Sequence, residues 1–172
     1  MRKIQTVVAL CLLSSMAMAE CVDNIVPTTP TDNFDISAGT VLDAKTGLMW
    51  KQCAEGLSGD DCEEGEADTL TWADALEQVE TLNSDGGFAE HTDWRLPNIK
   101  ELQTLVEERC EGPARNEDVF PGDYASQLWS SSPTGAAASA EANSAWYVRV
   151  SDGITSNDSR VNTNGIHLVR GG

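Results

Sequence analysis

The stretch Asp93-Trp94-Arg95-Leu96-Pro97-Asn98-Ile99-Lys100-Glu101-Leu102 turns an extended chain into a helix within a few residues, and the fold has to be built around that change. Pro97 disfavours helical dihedrals at Leu96, so Trp94 to Leu96 reads as extended and the helix starts only after the proline. Asn98 is the natural N-cap. Its side chain can accept from the backbone N–H of Lys100 or Glu101, and Glu101 sits at the third helical position, where a carboxylate reaches back to complete a capping box. Ile99, Leu102, Leu105 and Val106 recur at helical spacing, which predicts a helix from Asn98 to about Glu108. Trp94, Arg95, Pro97, Asn98 and Glu101 are therefore assigned to a structural hinge, with Trp94 as packing and Arg95 as a paired charge on its core side.

Ahead of this hinge, Arg2 and Lys3 precede an apolar run from Val7 to Leu13, and Ala17-Met18-Ala19 offers a small-x-small cleavage pattern. Residues 1 to 19 read as a signal peptide, the run being far short of the roughly 20 apolar residues a membrane span needs. Glu20 before Cys21 argues against a lipoprotein. No later segment is apolar enough for membrane insertion, so export is expected, to the periplasm, cell surface or medium. Without Arg2 and Lys3, nine basic side chains face 28 acidic ones, a net charge of −19. Such a surface repels polyanions at long range, which excludes nucleic acid and argues against anionic lipid and sulfated polysaccharide.

Four cysteines remain after the signal: Cys21, Cys53, Cys62 and Cys110. In an exported chain an even count predicts two disulfides, and three pairings are open. Cys53 and Cys62 flank a short Gly-rich acidic segment that can close as a loop, leaving Cys21 to pair with Cys110. No Cys-x-x-Cys is present, and a metal site is not expected. The acidic segment carries Glu55, Asp60, Asp61, Glu63, Glu64, Glu66 and Asp68. It lacks the alternating ligands, central Gly and terminal bidentate Glu of an EF-hand loop and reads as solvated. No cofactor is expected.

Residues 20 to 36 form a lead-in with little core of its own, and residues 37 to 172 form one domain. Thr40-Val41-Leu42 and Leu48-Met49-Trp50 read as a hairpin around Asp43-Ala44-Lys45-Thr46-Gly47. Thr71 caps a first helix with Asp74 at its third position. Trp72, Ala75, Leu76, Val79 and Leu82 make its apolar face, until Asn83 to Gly87 stop it. After Cys110 the chain is irregular, punctuated by Pro113, Pro121-Gly122 and Pro133. Strands return at 127–131 and 145–150. In the latter Trp146, Val148 and Val150 lie on one face and Tyr147 and Arg149 on the other. Ser151 to Ile154 turn the chain back, and Ile166 to Arg170 close the sheet. Two helices beside a small antiparallel sheet with long ordered loops make an α+β domain.

Asp93-Trp94-Arg95-Leu96-Pro97-Asn98 with Lys100-Glu101-Leu102 resembles a bacterial family of domains of unknown function that includes the Lcl C-terminal domain, the globular end of a collagen-like adhesin. The resemblance continues through Gly39-Thr40-Val41, Thr46-Gly47-Leu48-Met49-Trp50, Leu128-Trp129-Ser130-Ser131, Ala145-Trp146-Tyr147-Val148 and Leu168-Val169-Arg170-Gly171, covering residues 39 to 171. It implies a C-type lectin-like fold. More distantly, the Arg-Leu-Pro step looks like the formylglycine-generating enzymes, yet no cysteine here matches that family's catalytic pair. His91 and His167 come in no recognisable triad arrangement and read as a turn and a strand residue. Catalysis is not expected.

The candidate ligand face is the polar segment 151–165 with the strand before it. Asn157, Asp158, Arg160, Asn162, Asn164 and Arg149 can make the paired donor and acceptor contacts that sugar hydroxyls require, and Trp146 or Tyr147 an aromatic platform. The calcium-dependent lectin signatures are absent. The sequence thus predicts an exported binding module for carbohydrate or another surface polymer in adhesion or the envelope, with a structural envelope subunit as the alternative. Its expected partner is a neutral glycan or a surface protein, and a homo-oligomer is left open. The resemblance implies sulfated glycosaminoglycans, but three dispersed arginines, Arg149, Arg160 and Arg170, within so negative a chain make a poor polyanion site.

Overall fold

A computed structural model of the protein describes residues 20–135 and 143–171, so the expected signal peptide, residues 1–19, lies outside the described residues. Its strands are β1 (Glu20–Cys21), β2 (Phe34–Ser37), β3 (Thr40–Asp43), β4 (Met49–Lys51), β5 (Leu57–Ser58), β6 (Glu64–Gly65), β7 (Cys110–Glu111), β8 (Gln127–Pro133), β9 (Ser144–Arg149), β10 (Thr155–Ser159) and β11 (Val169–Arg170). The helices are α1 (Trp72–Ser84) and α2 (Ile99–Gln103). All strand pairings are antiparallel, in a four-stranded sheet ordered β11-β4-β3-β2, a three-stranded sheet ordered β10-β9-β8, and two short ribbons, β1-β7 and β5-β6. The domain is α+β.

The β3–β4 hairpin forms where turn chemistry requires it. Gly47 takes φ +74°, its N–H donates to Asp43 O at 2.8 Å, and the Asp43 carboxylate accepts from Lys45 N–H and the Thr46 hydroxyl. The three-stranded sheet is packed on both faces. Leu128 and Val148 enter one core with Val41, Trp50, Leu102 and Phe120, while Trp129 and Ala145 enter a second with Ala75, Val79, Trp94 and Leu168. Strand alternation therefore distributes apolar side chains between two cores instead of between core and water.

At the hinge, the Asn98 side chain accepts from both Lys100 and Glu101 N–H, and Glu101 closes the capping box on the Asn98 N–H. Arg95 pairs with Val169 as an isolated bridge beside β11. Trp94 is 2 % exposed, and its indole N–H donates to Phe88 O at 3.0 Å. Both disulfides pair as expected, Cys21 with Cys110 and Cys53 with Cys62.

Three expectations need correction. The second helix stops at Gln103 and does not continue to Glu108, because Val106 bridges to Arg115 and Glu107 is drawn into the lead-in. The buried Glu107 carboxylate accepts from the backbone N–H groups of Thr28 and Thr29 and from the Thr29 hydroxyl, while the Thr28 hydroxyl donates to Val106 O. Burial alone would raise its pKa, and these hydrogen bonds together outweigh burial and hold it down. The polar segment 151–165 is not one loop, since β10 runs through it and pairs along β9. The last strand does not close the sheet of β9; β11 joins β4 in the other sheet.

Candidate functional site

The structure distributes the residues singled out from sequence over the two faces of the β9–β10 pair and the chain that follows it. In the β9–β10 register Asn157 lies opposite Trp146 and Ser156 opposite Tyr147. Because successive strand residues point to opposite faces, Trp146 and Tyr147 do not share a platform. Tyr147 is half-buried, edge-on to Trp129 with ring centroids 6.4 Å apart. Asp158 accepts from the Asn162 amide at 2.7 Å, which closes the turn after β10. Arg149 is bound through Nε and Nη2 to Asp152, with Nε at 2.8 Å from Oδ1, and this contact raises the arginine pKa and lowers that of the aspartate.

Arg160 and Asn164 carry structural contacts. The Arg160 guanidinium lies 4.4 Å over the Trp72 ring and its Nε donates to Ser144 O, tying the start of α1 to β9. Asn164 is 5 % exposed and its backbone exchanges two hydrogen bonds with Leu70. By strand alternation Tyr147, Arg149 and Asp158 share one face of the β9–β10 pair and Trp146 and Asn157 the other, all half-exposed, with Asn162 exposed in the turn beyond.

A larger feature is a groove of about 1040 Å³ between the disulfide-closed acidic loop and the irregular chain after Cys110. Sequence reasoning missed it. Its separate signals were visible as the acidic run 55–68 and the breaks at Pro113 and Pro121-Gly122, but nothing local says that they meet. One wall comes from the β5–β6 ribbon and the residues just after it, and includes Leu57, Glu63 and Glu66. The other comes from Pro113, Arg115 and Glu117, held by hydrogen bonds from Gly112 N–H to Ser151 O and from Ala114 N–H to Val150 O. Gly122 brings the walls together. A Cβ there would sit 2.7 Å from Cys62 O and 2.8 Å from Cys62 Cβ, and its φ is +96°, so a side chain would push the loop away.

Arg115 is buried in this groove, 8 % exposed, with its guanidinium 4.1 Å over the Tyr124 ring. It donates to Phe120 O and Gly122 O and pairs with Glu117 at 3.5 Å. Burial pulls the arginine pKa down and pushes the Tyr124 hydroxyl well up, and that hydroxyl donates to Gln52 O. Arg115, the one cation lining the groove among the described residues, is therefore committed to the protein, while Glu63, Glu66 and Asp123 lie exposed along the rim. Among the described residues, no group of three or more His, Cys, Asp or Glu side chains is placed to hold a metal ion.

His167 is sealed between Trp50, Phe120 and Tyr124, with Nε2 2.7 Å from Lys51 O. Burial lowers its pKa to about 4. It is 1 % exposed and packs as a neutral imidazole. His91 lies at the turn into the hinge, its backbone exchanging hydrogen bonds with Phe88.

Among the described residues no helix is long and apolar enough to cross a membrane, and two disulfides fit an exported protein. A search of curated proteins returns no match. The family model of the Lcl C-terminal domain matches residues 39–170, most of the chain and every motif from the β3–β4 hairpin to β11, so this chain belongs to the Lcl C-terminal domain family.

Proposed function

We propose that this chain is a non-catalytic binding module that works outside the cytoplasm, in the periplasm, at the cell surface or in the medium, and recognises a neutral glycan or a surface protein in adhesion or envelope organisation. The observation that carries the reading is the open groove of about 1040 Å³ on an adhesin-related domain, at the upper end of the size of ligand sites. Two further facts support binding over catalysis. All four described cysteines are in disulfides, so no thiol pair is available for formylglycine-type chemistry, and His167 is closed off in the core. A C-type lectin-like arrangement is consistent with two helices beside small antiparallel sheets joined by long ordered connections such as 112–126.

A glycan array and an array of envelope proteins, probed with the mature protein, test this reading. Saturable binding on either supports it. Turnover in a hydrolase and oxidase screen with no binding on either array would replace it with an enzyme. The alternative of an envelope subunit draws on β2, the outermost strand of its sheet, with Ile36 and Leu42 exposed nearby, and a native mass above one chain would favour it.

A further inference from the structure

We infer that the groove docks an extended, lysine- or arginine-bearing segment of a partner protein. This rests on the binding-module reading and narrows its partner from glycan or protein to one chemistry. Glu63, Glu66, Glu117 and Asp123 line the groove, and among the described residues Arg115 is its only basic lining residue. Arg115 is already spent on Phe120 O, Gly122 O, Glu117 and the Tyr124 ring, so an incoming cation meets an excess of carboxylate. Leu57 and Pro113 supply apolar wall between these charges. Lysine and arginine suit such a mixture because their aliphatic stems lie on apolar surface while their heads reach charge.

The same geometry disfavours the other occupants. A sugar ring stacks on an exposed aromatic face, but Tyr124, the one aromatic lining residue among those described, is 8 % exposed with its ring covered by Arg115 and its hydroxyl committed to Gln52 O. A sulfated polymer would meet the carboxylates with like charge.

Fluorescence anisotropy of the mature protein with a labelled lysine–alanine repeat peptide tests the inference. The peptide should bind, more weakly as salt rises, and its glutamate–alanine counterpart should not. The double variant Glu63→Gln/Glu66→Gln should weaken binding about tenfold or more, whereas Glu77→Gln/Glu80→Gln, with the same change of net charge on the exposed side of α1, should leave it within about twofold. Asp123→Asn should weaken it independently of the acidic loop.

No peptide binding, or equal loss in both double variants, overturns the inference. Displacement of the peptide by a chitosan oligomer that binds more tightly would also overturn it, in favour of an amino-sugar ligand. Array binding of a neutral glycan that survives Glu63→Gln/Glu66→Gln, with no peptide binding, would sink this inference while leaving the binding-module reading in place.

Discussion

Arg95 grips Glu101 through two parallel hydrogen bonds, Nη1 to Oε2 at 2.7 Å and Nη2 to Oε1 at 2.8 Å, while the same carboxylate accepts from Asn98 N–H at 2.7 Å. One side chain thus caps α2 and ties it to the extended segment before Pro97. Arg95 Nη2 also donates to Gly171 O, which extends the tie to the end of the chain. The arginine is less enclosed than a core-side charge would be, with its side chain 39 % exposed against 17 % for Glu101.

Glu101→Gln should therefore cost about 1 to 2 kcal/mol, the sum of a weakened cap and lost ionic hydrogen bonds, discounted because Arg95 remains in reach of water. The Arg95 contact holds the Glu101 carboxyl below its ordinary value of 4.5. A depressed folded-state pKa means that this stability is present above about pH 4.5 and is lost as pH falls through the folded value. Urea melts should show the two proteins converging below pH 4.5; a gap that stays constant with pH would rule out the ionic contribution.

His167 should govern a separate, higher window. Its folded pKa lies near 4 against 6.5 for the free side chain, so the unfolded chain takes up the proton first. Stability is then full above pH 6.5 and falls by about 3 kcal/mol as pH drops from 6.5 to 4. His167→Gln should be less stable at neutral pH and nearly flat across that window. Retention of the wild-type slope in the variant would place the titration elsewhere.

Trp94→Ala should cost about 3 to 5 kcal/mol, because the indole is buried among Phe88, Leu96 and Leu168 and its N–H is satisfied inside the fold. Thermal and urea unfolding measure it. An equally stable variant that loses only ligand binding would make Trp94 a site residue.

Thiol titration of residues 20–172, denatured and unreduced, should find no free cysteine. Replacing Cys53 and Cys62 by Ser removes a bridge across a separation of 9 residues and should cost about 2.5 kcal/mol; doing so at Cys21 and Cys110, separated by 89, should cost about 4.5 kcal/mol. Protection of Thr28 and Thr29 amides in hydrogen exchange should largely survive the second change, since Glu107 holds that segment independently of the disulfide. Loss of that protection would show that the bridge, and not the carboxylate, keeps the lead-in docked.

No retention on heparin is expected at neutral pH and physiological ionic strength. Besides the net charge of −17 over the whole chain, Arg149 is bound to Asp152, Arg160 lies over Trp72 and Arg170 pairs with Asp93. Salt-sensitive retention abolished by Arg149→Ala or Arg160→Ala would restore a polyanion site.

Local chemistry alone determined the hinge, the two caps, the hairpin at Asp43 to Gly47 and the apolar face of α1. Each depends on dihedral restrictions or hydrogen bonds between residues no more than a few positions apart, which a linear reading contains. The disulfide partners followed from an even count and one short loop. Tertiary structure decided the rest. The chain left the helical pattern after Gln103 as Glu107 N–H met Ala114 O across the Val106–Arg115 bridge, and the polar residues 155–159 became a strand because β9 had an unpaired edge that needed hydrogen bonds. Strand alternation in β9, which separates Trp146 from Tyr147, was legible, but not that a core lies on each side of the strand. The groove depends on the close approach of Gly122 to Cys62 and on a guanidinium stacked over Tyr124, contacts between segments far apart in the chain whose meeting is set by packing of the whole domain and written in no local pattern.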